Sequence, residues 1–190
     1  MGGLTQHVFG YASLVADGGP GLVTRMHGVR RAWGVAADNS RVIPGYKVYV
    51  RRSDRSRPAL FVAFLDIFPD PGGCVNGVCR PVAAAELELL DRRERNYDRV
   101  DVTAAIDSAP GRVWAYVGSA AGRERLRRAR RAGEVVISRD YERRVRAGFR
   151  ALGEREYAAF LASHSLDGLP LEDLECVDVP QAPGGGERKR

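Results

Sequence analysis

The chain has 190 residues, of which 44% are hydrophobic and 28% charged, and its formal net charge is +6. This balance predicts one soluble domain, and no apolar run approaches the roughly 20 residues needed to cross a membrane. We expect a cytoplasmic protein, because the N-terminus lacks the pattern of a signal peptide. The three cysteines fit this compartment and complete no zinc site. The domain is expected over residues 1–178, and the Pro/Gly-rich, charged residues 179–190 are expected to be a disordered tail.

Arginine dominates the basic residues: of 30 lysines and arginines, only Lys47 and Lys189 are lysine. We interpret this bias as a G/C-rich coding preference rather than a selected basic surface. The densest run, residues 123–131, contains no aromatic side chain, whereas arginines interleaved with exposed aromatics favour nucleic-acid binding. The run is therefore interpreted as the solvated face of a helix, and we expect no nucleic-acid partner.

The first half of the chain is predicted to be mainly β-strand. Apolar or alternating patterns predict strands at residues 7–10, 27–37 and 60–68. The Pro/Gly-rich segment 69–73 is expected to end the last of these. Residues 75–81 form either its partner strand or, around Asn76 and Gly77, a hairpin turn, and periodicity does not decide between them.

The second half is predicted to contain the helices. Ala83, Leu87 and Leu90 recur at helical spacing after Pro81, which suits a first helical turn. Strands are predicted at residues 99–103 and 112–117, followed by a basic helix or helical loop at 122–133 and helices at 139–152 and 154–163. Ser138 is the expected N-cap of the helix that follows it. Because strands come first and helices gather late, the pattern predicts an α+β fold.

The helical stripe after Pro81 continues to Glu94 and Tyr97, which places a carboxylate on the side expected to face the interior. A buried carboxylate is either paired or has a raised pKa. A carboxylate that takes up and returns a proton near neutral pH suits general acid–base catalysis. The alternative is a plain ion pair, because four arginines are within reach: Arg92, Arg93, Arg95 and Arg99. This segment alone does not choose between the two.

A second candidate segment follows the first predicted strand. Residues 7–10 end in glycine and continue into Tyr11-Ala12-Ser13-Leu14. Small residues directly after a buried strand let the backbone come close to a ligand, with unpaired N–H groups directed at it. The same pattern is also typical of an ordinary strand–loop exit.

Together these segments resemble the γ-glutamylcyclotransferase-like family. Its hallmark is a strand ending in Tyr-Gly-Ser-Leu, followed by a Leu-Asp-x-x-Glu segment with a tyrosine just downstream. The counterparts here are Tyr11-Ala12-Ser13-Leu14, and Leu90-Asp91-Arg92-Arg93-Glu94 with Tyr97. Gly77-Val78-Cys79 and Ser138-Arg139-Asp140-Tyr141 also resemble segments of that family. The resemblance covers most of residues 7–163.

The resemblance implies a compact, barrel-like mixed sheet flanked by helices, and a reaction that needs no metal or cofactor. The substrate's own α-amine attacks its γ-amide carbonyl, releasing an amine and closing 5-oxoproline. Glu94 is then the expected general acid and base, and the expected substrate-binding residues are Tyr11, Ala12, Ser13, Leu14, Tyr97 and Tyr141. The two downstream tyrosines are expected to donate phenolic hydrogen bonds. Dipeptides, glutathione, γ-glutamyl amines and natural-product intermediates stay open as substrates, and the oligomeric state is not predicted.

Ala12 departs from the family pattern, which usually has glycine at this position. If the position requires a positive φ, alanine costs about 1 kcal/mol or more. The methyl group would also narrow the approach of a ligand. The alternative hypothesis is therefore a non-catalytic domain of the same fold that binds a small carboxylate metabolite or a partner.

Overall fold

The computed structural model describes residues 5–17, 19 and 21–181, and its centre is a long antiparallel pair of strands. These are β2 (Leu22–Asp38) and β4 (Phe61–Pro81). The other strands are β1 (Gln6–Gly10), β3 (Lys47–Arg51), β5 (Tyr97–Asp101), β6 (Arg112–Gly118), β7 (Val135–Ser138), β8 (Leu171–Glu172) and β9 (Leu174–Asp178). The helices are α1 (Ala84–Arg93), α2 (Ala120–Ala132), α3 (Arg139–Ala151) and α4 (Glu154–Ala162), with 3₁₀ turns at Ser13–Ala16 and Thr103–Ala105.

The main sheet is mixed and curls into half a barrel flanked by four helices. Six of its strands lie in the order β5-β6-β1-β4-β7-β8, and β2 pairs with β4 outside this order. β1 is antiparallel to β4 but parallel to β6, and β7 is parallel to β4. A separate two-stranded sheet joins β3 to β9. The predicted α+β class and the barrel-like mixed sheet are confirmed.

The register of three neighbouring strands brings two loops to the same edge of the sheet. β6 runs parallel to β1, with His7 opposite Val113, and antiparallel to β5, with Tyr97 opposite Gly118. β1 therefore ends, at Gly10, on the side where β5 begins. The loop after β1 and the connection from α1 to β5 meet at this edge.

The Pro/Gly-rich segment 69–73 does not end the strand, and that prediction was wrong. β4 continues through it, because on β2 only Gly28 lies between the residues opposite Pro69 and Cys74. The segment is thus an extended bulge, where a proline without a ladder partner is tolerated. Residues 75–81 are strand rather than a hairpin turn, but they continue β4 and pair with β2 and β1, so the prediction that they pair with residues 60–68 was wrong.

The late helices begin and end near where their sequences predict. Ser138 Oγ accepts a hydrogen bond from the Tyr141 N–H at 3.4 Å, which confirms the predicted N-cap of α3. Gly133, with a φ of +69°, ends α2 in the left-handed conformation. Phe149 of α3 and Phe160 of α4 are fully buried, and their rings stack with centroids 4.3 Å apart. These helices thereby cover one face of the sheet.

The basic run 123–131 is helical as predicted, but its face is only partly solvated. Arg123 Nε donates to the fully buried Asp66 at 2.8 Å. Arg125 Nη2 donates to Asn96 Oδ1 at 2.7 Å. These two arginines therefore anchor α2 to the sheet and to the α1–β5 connection.

The described C-terminal residues return to the β3 region. The Val179 N–H donates to the carbonyl of Tyr46 at 2.6 Å. Residues 182–190 of the predicted tail lie outside the described residues. Within the described part of the chain, no helix combines the length and apolarity needed to span a membrane. The three cysteines, Cys74, Cys79 and Cys176, are free thiols.

Candidate active site

All seven site residues predicted from the sequence line one cavity, at the edge where β1 ends and β5 begins. The cavity is lined by Tyr11, Ala12, Ser13, Leu14, Leu65, Glu94, Tyr97, Tyr116 and Tyr141. Leu65 and Tyr116 are the two members that sequence reasoning missed. The free volume is about 20 Å³, which is room for roughly one water molecule. A glutamyl group therefore fits only if the lining side chains move.

Glu94 is the first residue after α1 rather than part of its last turn. Its N–H donates to the carbonyl of Leu90 at 2.8 Å, and its own carbonyl accepts from the Tyr97 N–H at 2.9 Å. The side chain is only 14% exposed, so the apolar stripe predicts its inward direction although the helix ends at Arg93. Burial raises the pKa of the Glu94 carboxyl above its usual range.

An arginine partner is present beside this carboxylate. Arg93 Nε lies 3.3 Å from Glu94 Oε1, and Arg93 Nη1 lies 2.6 Å from Asp17 Oδ2. Arg93 is thus shared between two carboxylates. Its positive charge opposes the effect of burial on the pKa of Glu94 without cancelling it. The ion pair and the perturbed carboxylate, treated as alternatives from the sequence, coexist.

Lys47 is a candidate functional residue that sequence reasoning did not identify. It begins β3, and its Nζ lies 4.9 Å from the ring centroid of Phe64 and 5.6 Å from that of Tyr46. Burial lowers the pKa of the Lys47 ammonium group, and the negative charge of Glu94 acts in the opposite direction. The two groups therefore interact electrostatically. The available signal was compositional, since Lys47 is one of only two lysines in an arginine-rich chain.

Two tyrosines of the cavity are held by the backbone of Leu65. Tyr97 Oη donates to the Leu65 carbonyl at 2.7 Å, whereas Tyr141 Oη accepts from the Leu65 N–H at 3.3 Å. Tyr141 therefore keeps its own hydroxyl hydrogen for a ligand. In this arrangement Tyr97 offers the cavity only an acceptor. Of the two expected phenolic donors, Tyr141 is the one whose hydrogen is available.

Tyr11 and Tyr116 connect the walls of the cavity. Tyr11 Oη donates to the carbonyl of Tyr116 at 2.5 Å, and Tyr116 Oη donates to Asp91 Oδ1 at 2.8 Å. Burial raises the pKa of the Tyr11 phenol well above its usual value, so the group stays protonated. These phenols tie the loop after β1 to β6 and β6 to α1.

The loop after β1 presents backbone amides whose hydrogens are available. Two carbonyls of the loop are already hydrogen-bonded to arginines: Tyr11 O accepts from Arg31 Nε at 2.9 Å, and Leu14 O accepts from Arg80 Nη1 at 2.7 Å. Among the described residues, the N–H groups of residues 12–14 have no acceptor. We call these three amides the amide cradle. Such donors suit a carboxylate or a developing oxyanion.

Ala12 carries no backbone penalty of the kind considered from the sequence. Its φ is −139°, so the position does not require the left-handed conformation that favours glycine. The Ala12 side chain packs against both major apolar clusters of the core. It also lines the small cavity, so the expectation that its methyl group narrows the site remains.

A larger chamber adjoins the small cavity. Ser13 and Tyr141 line both spaces. The chamber has a volume of about 620 Å³, a size typical of small-molecule pockets. Charged and polar groups from several elements line it: Lys47 and Tyr49 of β3, Cys176 and Asp178 of β9, Asp140 and Arg144 of α3, and Arg93 at the end of α1. We refer to this space as the outer chamber.

Comparison with known proteins gives the family. Residues 8–143 match the model of the family described as "Gamma-glutamyl cyclotransferase, AIG2-like". The match covers well over half of the chain, and the protein belongs to this family. None of the proteins with curated descriptions matches the chain in sequence.

Solved structures share the fold. One is described as gamma-glutamyl cyclotransferase; it is 14% identical, with a TM-score of 0.51 over 88% of this chain and 93% of that chain. Another is the crystal structure of the uncharacterized protein loc79017 from Homo sapiens, which is 15% identical, with a TM-score of 0.52 over 85% of this chain and 89% of that chain. At such identities the likeness shows the fold, and residue roles rest on the geometry described above.

Proposed function

We propose that the protein is a γ-glutamylcyclotransferase-type enzyme that releases 5-oxoproline from γ-glutamyl amides or peptides. The observation that carries the proposal is the presence of one buried carboxylate, Glu94, in the same cavity as the amide cradle. A proton acceptor and oxyanion donors are the two components that an intramolecular acyl transfer needs. The expected cytoplasmic location and small-molecule substrate belong to the same proposal.

The reaction begins when Glu94 removes a proton from the α-ammonium group of the substrate. The freed amine attacks the γ-carbonyl carbon and closes a five-membered ring, while the amide cradle and the Tyr141 hydroxyl stabilise the oxyanion. Collapse of this intermediate breaks the bond between the γ-carbonyl carbon and the leaving nitrogen, to which Glu94 returns its proton. The ring nitrogen then gives up its second proton through the same carboxylate to the departing amine, which leaves as an ammonium ion. No water is consumed, and the carboxylate ends in its starting state.

Burial supports this proton transfer. A carboxylate with the usual pKa of about 4.3 is a weak base toward an ammonium group. A raised pKa brings Glu94 closer to the amine, while the charges of Lys47 and Arg93 keep its ionised form accessible. Holding amine and carbonyl together in a folded glutamyl group lowers the barrier further, by roughly 7 kcal/mol or more when alignment is good.

The proposal is tested by incubating the protein with γ-glutamyl-alanine, γ-glutamyl amines and glutathione, and by measuring 5-oxoproline chromatographically. Glu94→Gln keeps the shape of the side chain but removes the proton acceptor, so we expect kcat to fall by roughly 10²- to 10⁴-fold. Glu88→Gln removes the same charge from an exposed position of α1 and should keep the wild-type rate. Absence of 5-oxoproline from every substrate contradicts the proposal.

The small free volume favours a second candidate function, a non-catalytic domain that binds a small carboxylate. The Ala12 methyl group lines a cavity of about 20 Å³, and a carboxylate bound to the amide cradle needs less space than a whole substrate. Thermal-shift measurements with glutamate and 5-oxoproline address this function. A raised Tm without turnover of any substrate favours the binding domain. Turnover that is lost in Glu94→Gln favours the enzyme.

A further inference from the structure

We propose that the outer chamber receives the leaving amine, and that Lys47 selects leaving groups that carry a negative charge, such as amino acids or peptides with a free carboxylate. This inference rests on the proposed cyclisation and concerns which γ-glutamyl compound the site prefers. Ser13 and Tyr141 line both spaces. The cavity that holds Glu94 has no room for a leaving group, and we place this part of the substrate in the outer chamber because the two spaces share two lining residues.

The inner wall of the chamber has more positive than negative charge. Lys47 has no carboxylate oxygen within 4.0 Å among the described residues. Arg93 and Arg144 both pair with the single carboxylate of Asp17. One ammonium group and two guanidinium groups thus face two carboxylates, those of Asp17 and Glu94, of which Glu94 pairs with Arg93. An anionic ligand supplies the charge that this arrangement lacks.

The acidic residues of the chamber do not neutralise this surplus. Asp140 is engaged by Arg52. Asp178 lies opposite Lys47 in the β3–β9 pair, but it is exposed at the rim. Burial raises the pKa of the Cys176 thiol, so this group stays neutral. A carboxylate on the leaving amine therefore finds in Lys47 a cation of the chamber wall that has no carboxylate partner within 4.0 Å among the described residues.

A cationic leaving group meets the opposite situation. An amine with a second ammonium group, such as a diamine, places a positive charge near Lys47 and Arg144. The second ammonium group and these two cations repel each other, and solvent screens the repulsion poorly in a partly buried site. The chamber therefore discriminates by charge, and size plays a smaller part at about 620 Å³.

The test compares γ-glutamyl-alanine with γ-glutamyl-alaninamide, which differ only in the charge of the leaving group. We expect the ratio of their kcat/KM values to fall about 10-fold from wild type to Lys47→Met, mainly through loss with γ-glutamyl-alanine. Comparing this ratio between variants cancels the different intrinsic reactivities of the two leaving amines. Lys47→Arg should keep most of the preference, and Arg128→Met, which removes an exposed charge of α2, should keep all of it.

The outcomes separate this inference from the function on which it rests. Equal losses with both substrates in Lys47→Met mean that Lys47 acts only through Glu94, and they overturn the inference while leaving the enzyme in place. If neither substrate yields 5-oxoproline in wild type, function and inference fall together. Product inhibition in wild type gives a second measurement that needs no variant: free alanine should inhibit more strongly than alaninamide, and equal inhibition contradicts the inference.

Discussion

At the scale of single residues, side chains of the same type have different hydrogen-bonding roles in the site. Tyr97 and Tyr141 both reach the same cavity and both contact the Leu65 backbone, but with opposite hydrogen-bond direction. Glu94 is buried next to cations that stabilise its charge without fully compensating its desolvation. Each arrangement gives a residue a chemical property that its type alone does not specify.

Glu94 should reduce the stability of the folded protein near neutral pH. Because the pKa of Glu94 is raised by folding, its contribution is most favourable below the unfolded pKa of about 4.3 and is lost as pH rises through the folded pKa. Glu94→Gln removes this loss, so we expect a higher Tm than wild type at pH 7 and a smaller difference at pH 4. Thermal unfolding followed by circular dichroism measures both. A lower Tm at pH 7 would show that the contact with Arg93 outweighs the cost of burial.

The two tyrosines should separate activity from stability. Tyr97→Phe and Tyr141→Phe each leave one backbone group of Leu65 without its partner, so each should cost about 1 kcal/mol of unfolding free energy. Only Tyr141→Phe removes a donor for the oxyanion, and we expect its kcat to fall roughly 10²-fold. Urea denaturation and steady-state kinetics give the two quantities. Equal kcat values for both variants would exclude the donor role of Tyr141.

At the scale of elements, the bulge in β4 separates two parts of the strand that pair with different neighbours. Before the bulge, Phe61 and Val62 pair with β7; after it, residues 78–81 pair with β1. β4 thus changes neighbours along its length, and the bulge bends it between the two halves of the sheet. The amide cradle at the end of β1 therefore lies beside the part of β4 that carries Leu65 and the tyrosines bonded to it.

Gly28 is the backbone position on which this bulge depends. Its φ is +75°, and a Cβ added there would meet no atom within 4 Å, so Gly28→Ala isolates the cost of the left-handed conformation. We expect a loss of about 1 kcal/mol in unfolding free energy. Gly72→Ala, at an equally open position of β4 without positive φ, should be neutral or slightly stabilising. Chemical denaturation of both variants measures the difference, and equal stabilities would contradict this account of the bulge.

At the scale of the whole molecule, the sequence predicts what local patterns encode. The helical stripe ending in Glu94 and the loop at 11–14 are contiguous motifs, and both predicted parts meet in one cavity. Lys47 enters the site because β3 pairs with β9 near the other end of the described chain. No local pattern specifies that pairing, so neither the outer chamber nor the position of Lys47 in its wall could be predicted. The strand end predicted at residues 69–73 was wrong because the glycine that accommodates this segment, Gly28, lies on another strand.

Arg31 joins distant parts of the molecule behind the cradle. Its guanidinium donates to Tyr11 O at 2.9 Å, to Asn76 O at 2.7 Å and to Ser163 Oγ at 2.6 Å. Its Cζ atom also lies 4.8 Å and 4.9 Å from the ring centroids of Phe149 and Phe160. One side chain thus links β1, β4 and the end of α4. It fixes the carbonyl of Tyr11, which belongs to the same peptide group as the first N–H of the amide cradle.

Replacing Arg31 has two effects of opposite sign on the stability of the fold. Arg31→Met leaves two buried carbonyls without donors, which costs about 1–3 kcal/mol each, but it also removes a buried charge without a carboxylate partner, which is favourable. We expect the first effect to dominate, with a net loss of about 2 kcal/mol and a lower kcat because the cradle is released.

Arg30→Met, at the exposed neighbouring position, should change stability by less than about 0.5 kcal/mol. Urea denaturation and kinetics of both variants, with Arg31→Lys should Arg31→Met not fold, measure the balance. An Arg31→Met protein as stable as wild type would mean that the buried charge, rather than its hydrogen bonds, dominates.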